Sequence, residues 1–264
     1  MAKSHQSKTL AGGAHVTEGY YDNGRPETID MLVERPARVL DIGCGRGGVT
    51  RELQRRHPGL VSVGMDAFCD SSHNYRTTFD EFHHVDIEAA ELPVDLATFD
   101  LVLLLDVLEH LRDPHSFFER MTAQLNYGCY ILVSLPNFHY YPNLLRIIWS
   151  GRFQYQSEGI MDRTHLRFFG YKDARDMLAK DVSIIRYIAH NPMESRKSRI
   201  IGRIFGDQYR AYQNLFLCRK GELPSSGAPS GATAVGSRGV VGPAGMPQSS
   251  ARNRLTGLTA LPPR

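Results

Sequence analysis

Over the first 220 residues, short runs rich in Val, Leu and Ile alternate with stretches in which apolar residues recur at helical spacing. The runs read as strands of a largely parallel sheet, and the periodic stretches as helices covering it. The predicted strands are 38–41, 60–65, 82–85, 99–105 and 130–135. Two later ones, 183–190 and 212–219, are half polar, as edge strands or an antiparallel hairpin would be. The predicted helices are 26–33, 49–56, 74–79, 115–126, 142–149 and 171–180, with Asp113-Pro114 supplying a cap and a first-turn proline for the fourth. The pattern is that of one α/β domain over 16–220, after a loose N-terminal stretch, 1–15. The last 44 residues, 221–264, hold 8 Gly, 6 Pro and 6 Ser with no periodic apolar pattern, so this tail is expected to be disordered.

Charge narrows the partners. The net +3 resides in the tail, where Arg238, Arg252, Arg254 and Arg264 face only Glu222; the body is left with 27 basic and 27 acidic residues. A body with zero net charge has no global field to attract a polyanion, which argues against a nucleic-acid substrate. No apolar run approaches the ~20 residues of a membrane span. The first 14 residues lack the apolar core of a secretory signal, so a cytoplasmic location is expected. Cys44, Cys69, Cys129 and Cys218 form no close pair and read as reduced, buried small hydrophobes.

The chemistry begins where the first strand enters a glycine turn, Val39-Leu40-Asp41-Ile42-Gly43-Cys44-Gly45-Arg46-Gly47-Gly48. Alternate glycines let a ligand lie against bare backbone at a helix N-terminus. Dinucleotide enzymes use a close variant, but Asp41 would repel a pyrophosphate and suits a cationic ligand, such as a sulfonium bearing an α-ammonium group. The second strand ends in Asp66, an acid placed to accept both ribose hydroxyls. The third ends in His84-Val85-Asp86-Ile87-Glu88, offering a carboxylate and an apolar residue to an adenine edge and face.

VLDIGCGRGG, Asp66, the VDIE segment and FDLVLLLDVLEHLRDP, in this order and each at a strand end, together resemble the class I S-adenosylmethionine-dependent methyltransferases. The resemblance implies S-adenosylmethionine as cofactor and a Rossmann-like, seven-stranded, mostly parallel sheet with a reversed last strand and helices on both faces. It assigns Asp41, Gly43 and Gly45 to the methionine part of the cofactor, Asp66 to the ribose, and Asp86 with Ile87 to the adenine. It adds Tyr21, Ala67 and Asp106 to the cofactor contacts. Downstream, the opening GYYDNGRPE, SLPNFHYYPNLLRIIWSGRF, GIMDRTHLRFFGYKD and AYQNLFLCRK are similar to bacterial methyltransferases found with glycan-assembly glycosyltransferases and, more distantly, to MetW-like proteins.

Methyl transfer is an in-line displacement, so the protein must position the nucleophile and remove its proton. Histidine is the best-poised base for a hydroxyl acceptor. His110, just after the fourth strand, is one candidate, with capping of the following helix as its plainer role. His165, in Asp162-Arg163-Thr164-His165-Leu166-Arg167, is the other, and a loop placed as a lid suits it. Arg163 and Arg167 read equally as salt-bridge partners of Asp162 and Asp173. Asp106, Glu109 and His110 have metal-ligand chemistry at helical spacing, as some quinone-pathway methyltransferases do, but Asp106 has another role at the cofactor's edge and no metal is expected. His83 and His84 alternate on a strand and read as solvent and core histidines.

The stretch 143–153 is amphipathic, and 193–205 mixes Arg196, Lys197, Arg199 and Arg203 with Ile200, Ile201, Ile204 and Phe205. Both read as lid segments packed on the domain; the second also suits a peripheral contact with anionic lipid or a lipid-linked acceptor. The sequence thus points to O-methylation of a small-molecule or glycan hydroxyl. A non-catalytic, cofactor-binding accessory of the MetW-like type is the alternative. No Asn-Pro-Pro-Tyr-type clamp for a flipped base follows the fourth strand.

Overall fold

The computed structural model describes residues 24–68, 72–89 and 91–221; the expectations for Tyr21, Cys69, the N-terminal stretch and residues 222–264 of the tail lie outside them. All seven strands form: β1 (Arg38–Ile42), β2 (Val61–Asp66), β3 (Glu81–His84), β4 (Leu101–Leu105), β5 (Tyr130–Pro136), β6 (Ser183–His190) and β7 (Gln213–Arg219). They make one sheet in the order β3-β2-β1-β4-β5-β7-β6. Pairing is parallel from β3 to β5, and β7 runs antiparallel to both of its neighbours.

The last two strands pair antiparallel, as their polarity suggested, but they are not both edges. β7 is threaded between β5 and β6, so Asn214 to Cys218 are all buried; only β6 is an edge, with a bulge between Ile184 and Arg186. Two helices, α6 (Arg196–Phe205) and α7 (Asp207–Arg210), fill the connection. Ser195 caps α6 by accepting from the Ser198 amide, so the basic, apolar stretch is a full ten-residue helix.

Of the other helices, α1 (Pro26–Ile29) is shorter than expected, because the chain turns at Asp30 and drops Met31 into the core. The rest, α2 (Gly48–Arg56), α3 (Pro114–Gln124), α4 (Tyr141–Ser150) and α5 (Tyr171–Leu178), lie where the apolar period placed them. No α-helix forms over 74–79. There a single 3-10 turn, Tyr75–Thr77, is capped by the Asn74 side chain, and Tyr75 stacks on Phe82 with centroids 3.9 Å apart. His83 bonds Glu81 at 2.8 Å and His84 meets the Ala67 carbonyl at 3.0 Å, so neither is a core histidine. Cys44, Cys129 and Cys218 are buried free thiols, and burial pushes the last two up to about 12, which makes them inert.

Successive residues of β4 feed opposite cores: Leu101 and Leu103 join Val39, Leu53 and Leu132, while Val102 and Leu104 join Leu40, Phe118 and Phe216. With both faces covered, the polar groups collect at the C-terminal strand ends. The strand order reverses between β1 and β4, where such sheets open a crevice for ligands.

Candidate cofactor cleft and acceptor site

The glycine turn after β1 is clipped to β2, since the Gly43 and Cys44 amides both donate to the Met65 carbonyl at 2.8 and 3.1 Å. Gly43 has φ 68°, and a Cβ there would stand 2.6 Å from Val107 Cγ2; glycine alone lets the loop after β4 lie against the turn. Asp66 joins two loops, its Oδ2 accepting from the Gly45 amide at 2.8 Å and its Oδ1 from Phe68 at 2.7 Å. Burial raises its pKa against those two amides. Asp41 lies beneath the turn, 4% exposed, and accepts from the Thr50 hydroxyl at 2.6 Å. Burial pushes its carboxyl up to about 7, opposed by the Thr50 hydroxyl and reinforced by the charge of Asp66.

On the other lip, Asp86 is exposed and its Oδ1 accepts from the Glu88 amide at 2.9 Å, while Ile87 is half-buried against the main core. Glu88 accepts from the Arg112 amide at 2.6 Å, tying the loop after β3 to the loop after β4.

Asp106 sits at the tip of β4 in the left-handed region, φ 58°, and Arg25 is the other described non-glycine residue there, φ 41°. The two form an ion pair at 3.0 Å with side chains only 10% and 13% exposed. Arg25 also donates to Ser134 at 3.1 Å and to Gln213 at 3.1 Å; Ser134 in turn donates to Asp106 at 2.6 Å, as does Gln213 at 3.0 Å. Two strained backbones held by one saturated polar knot mark a site whose geometry the surrounding fold over-determines. Sequence reading missed Arg25, Ser134 and Gln213 as partners: they lie 81, 28 and 107 positions from Asp106, with no local signal.

Beyond Asp106 a 3-10 turn, Leu108–His110, carries Glu109 and His110. The loop between α4 and α5 folds onto it, the Leu166 and Arg167 amides donating to the Glu109 carbonyl at 2.8 and 3.0 Å. This brings His165 to His110, ring centroids 4.9 Å apart and nearly edge-on. His110 Nδ1 faces the Thr164 carbonyl at 3.2 Å and His165 Nδ1 the Ile160 carbonyl at 3.0 Å. A carbonyl only accepts, so both Nδ1 atoms carry a proton, and in a neutral ring held this way the lone pair stands on Nε2. Burial, then the neighbouring His165, lowers the His110 pKa, so its ring is neutral at pH 7. Arg163 and Arg167 do not take the partners expected of them. Asp162 accepts from the Thr164 amide and hydroxyl, Asp173 from the Gly170 amide, and Arg167 donates to the Arg112 carbonyl.

Residues 23–180 match the family described as methyltransferase domain. The chain belongs to that family, the class I S-adenosylmethionine-dependent methyltransferase domains. Among its relatives is norajmaline N-methyltransferase of Rauvolfia serpentina, 26% identical over 46% of this chain and 50% of the relative. A second is the ubiquinone biosynthesis O-methyltransferase of Maricaulis maris, 36% identical over 32% of this chain and 35% of the relative. The chain thus spans half or less of the length of these curated relatives. An S-adenosylmethionine-dependent methyltransferase from Mesorhizobium loti shares the fold, with TM-score 0.52 and 18% identity over 77% of this chain and 99% of that one. Methyltransferase relatives of both the N- and O-directed kinds leave the acceptor atom open. Among the described residues, no helix of this methyltransferase domain is long and apolar enough to cross a membrane.

Proposed function

We propose that the protein transfers the methyl group of S-adenosylmethionine to a hydroxyl of a small molecule or glycan, with His165 or His110 assisting removal of the acceptor's proton. One observation carries this reading: two adjacent imidazoles, each with Nδ1 turned to a backbone carbonyl, stand at the C-terminal sheet edge, beyond the glycine turn. On this reading the methionine part lies over Gly43 and Gly45, with ionised Asp41 beneath it, and Asp66 and Ala67 meet the ribose. Asp86 and Ile87 flank the adenine, while Tyr21 and Asp106 complete the cofactor contacts. The glycan class of acceptor rests on the sequence resemblance.

Calorimetric titration with S-adenosylmethionine, repeated on Asp66→Ala, tests the cofactor site: micromolar binding by the intact protein and its loss in the variant are expected. An acceptor screen, starting from nucleotide sugars and lipid-linked glycans, then compares His165→Ala. Turnover should collapse while cofactor affinity stays within a few-fold; unchanged turnover removes His165 from the mechanism.

Exposed apolar side chains favour two additions. On α6 the outward residues Ile200, Ile204 and Phe205 stand among exposed Arg196, Lys197, Arg199 and Arg203, a surface suited to anionic lipid near a lipid-linked acceptor. On α4 the exposed Leu145, Ile148 and Trp149 suit a protein partner, and with it the accessory role. An enzyme releases S-adenosylhomocysteine when given acceptor; an accessory binds cofactor and co-purifies with its partner.

A further inference from the structure

Glu109 is 1% exposed, and neither of its carboxylate oxygens has a hydrogen-bond partner. A carboxyl buried with both oxygens unsatisfied has lost its solvation with nothing in return, so such a group calls for an occupant. Burial, with Asp106 nearby, raises its pKa well above the usual carboxylate range. Protonation removes the charge but still leaves a donor and an acceptor unmet.

The neighbours supply what a cation needs. Glu109, His110 and His165 each bring a ligand atom within 4.8 Å of the other two. Both histidines donate Nδ1–H to a backbone carbonyl, which fixes the tautomer and leaves Nε2 as a ligand; metal-bound imidazoles are held the same way. Asp106 is committed to Arg25, Ser134 and Gln213, and His165, 55 positions beyond His110, stands beside Glu109 and His110 instead. In a tetrahedral site with metal–ligand distances of about 2.1 Å, ligand atoms stand roughly 3.4 Å apart, so the side chains need close in by at most about 1.4 Å.

We propose that Glu109, His110 and His165 form a binding site for a divalent transition-metal ion of the Zn2+ class on the acceptor side of the cleft. Two imidazoles and one carboxylate favour such ions over Mg2+ or Ca2+, which prefer oxygen ligands. Three protein ligands leave a position open for an acceptor oxygen. Its role in the reaction rests on the methyl transfer proposed above. With the ion bound, the two Nε2 lone pairs are its ligands, so the histidines assist deprotonation through the metal and not as bases: the ion lowers the pKa of a bound acceptor hydroxyl, whose O–H proton passes to water. The resulting oxyanion forms the new O–CH3 bond while the methyl–sulfur bond breaks. The electron pair of that bond stays on sulfur, leaving S-adenosylhomocysteine and a methyl ether.

The test uses the full chain stripped with chelator and titrated with Zn2+ by calorimetry and with Co2+ by visible absorption. One equivalent of Co2+ should bind at micromolar or tighter affinity and develop ligand-field bands. Glu109→Gln and His165→Ala should each weaken binding at least about 10-fold. If Glu109→Gln fails to fold, the half-buried His110→Gln carries the same comparison. No saturable one-to-one binding by the intact chain, or binding unchanged in the variants, overturns the site. S-adenosylmethionine titrations of the same samples separate the two ideas: metal without cofactor binding defeats the methyltransferase reading and spares the site, and the converse defeats the site alone.

Discussion

Substituting Asp41 by Asn probes the electrostatics of the cleft most directly. In the unfolded chain this carboxyl ionises near its ordinary value of 3.8, whereas in the folded protein burial moves ionisation to about 7. Between those values the unfolded state has released a proton that the native state keeps, so stability falls as pH rises from about 4 to about 7 and levels off above. At about 1.4 kcal/mol per pH unit, the loss comes to about 4 kcal/mol. Asn cannot ionise and still offers its oxygen to the Thr50 hydroxyl. The stability of Asp41→Asn relative to the intact protein should therefore improve by about 4 kcal/mol between pH 4 and pH 7.5, roughly 8–16 °C in Tm for a domain of this size. Urea unfolding of the cofactor-free proteins across that range measures it. Glu109 contributes a slope of the same sign to both proteins and cancels in the difference. Parallel stability curves would refute the assignment of a buried, protonated Asp41. The same titration links to binding: a cationic cofactor favours the ionised carboxylate, so affinity should rise from pH 6 to pH 8 with proton release, and Asp41→Asn should abolish both effects.

Other perturbations read the architecture. Gly43→Ala combines a φ of 68° with a Cβ 2.6 Å from Val107 Cγ2 and should destabilise by about 2–4 kcal/mol in thermal unfolding. Val107→Ala in the same chain should recover part of that loss, and strict additivity in the double-mutant cycle would show that the contact is not its cause. Asp106→Asn leaves the largely buried Arg25 with only the longer ion pair to Glu27 at 3.6 Å and should cost about 3 kcal/mol in urea unfolding. A loss below 0.5 kcal/mol would mean that Ser134 and Gln213 suffice to hold the knot.

Local chemistry was legible along the chain. Apolar runs located β1, β2, β4 and β5, because a strand buried on both faces must be apolar at nearly every position, whereas the edge strands β3 and β6 are mixed. The glycines of the turn announced themselves, since a positive φ and close backbone approach leave few other residues. The Asp113-Pro114 cap was equally visible, its side chain accepting from the Ser116 amide at 3.1 Å.

Tertiary structure decided what depends on meetings between distant segments. The composition of 212–219 did not reveal that β7 is an interior strand, because Gln213 and Asn214 look like edge polarity until Asp106 and Tyr187 bond to them. Helix α6 was obscured because Ile200, Ile204 and Phe205 are exposed along with its cations, and its one fully buried side chain is the small Ser198. Asp106 read as a cofactor contact, and the partners that hold its side chain come from the N-terminal segment, β5 and β7, none of them near it in sequence. Glu109 and His110 were visible as neighbours in sequence, but the loop that delivers His165 is bound to their turn by backbone amides, which every residue has and no sequence pattern shows. Strand period, turn and cap follow from each residue's own backbone preferences. The cluster Glu109, His110 and His165, and the knot around Asp106, exist only once the sheet has closed and placed those backbones side by side.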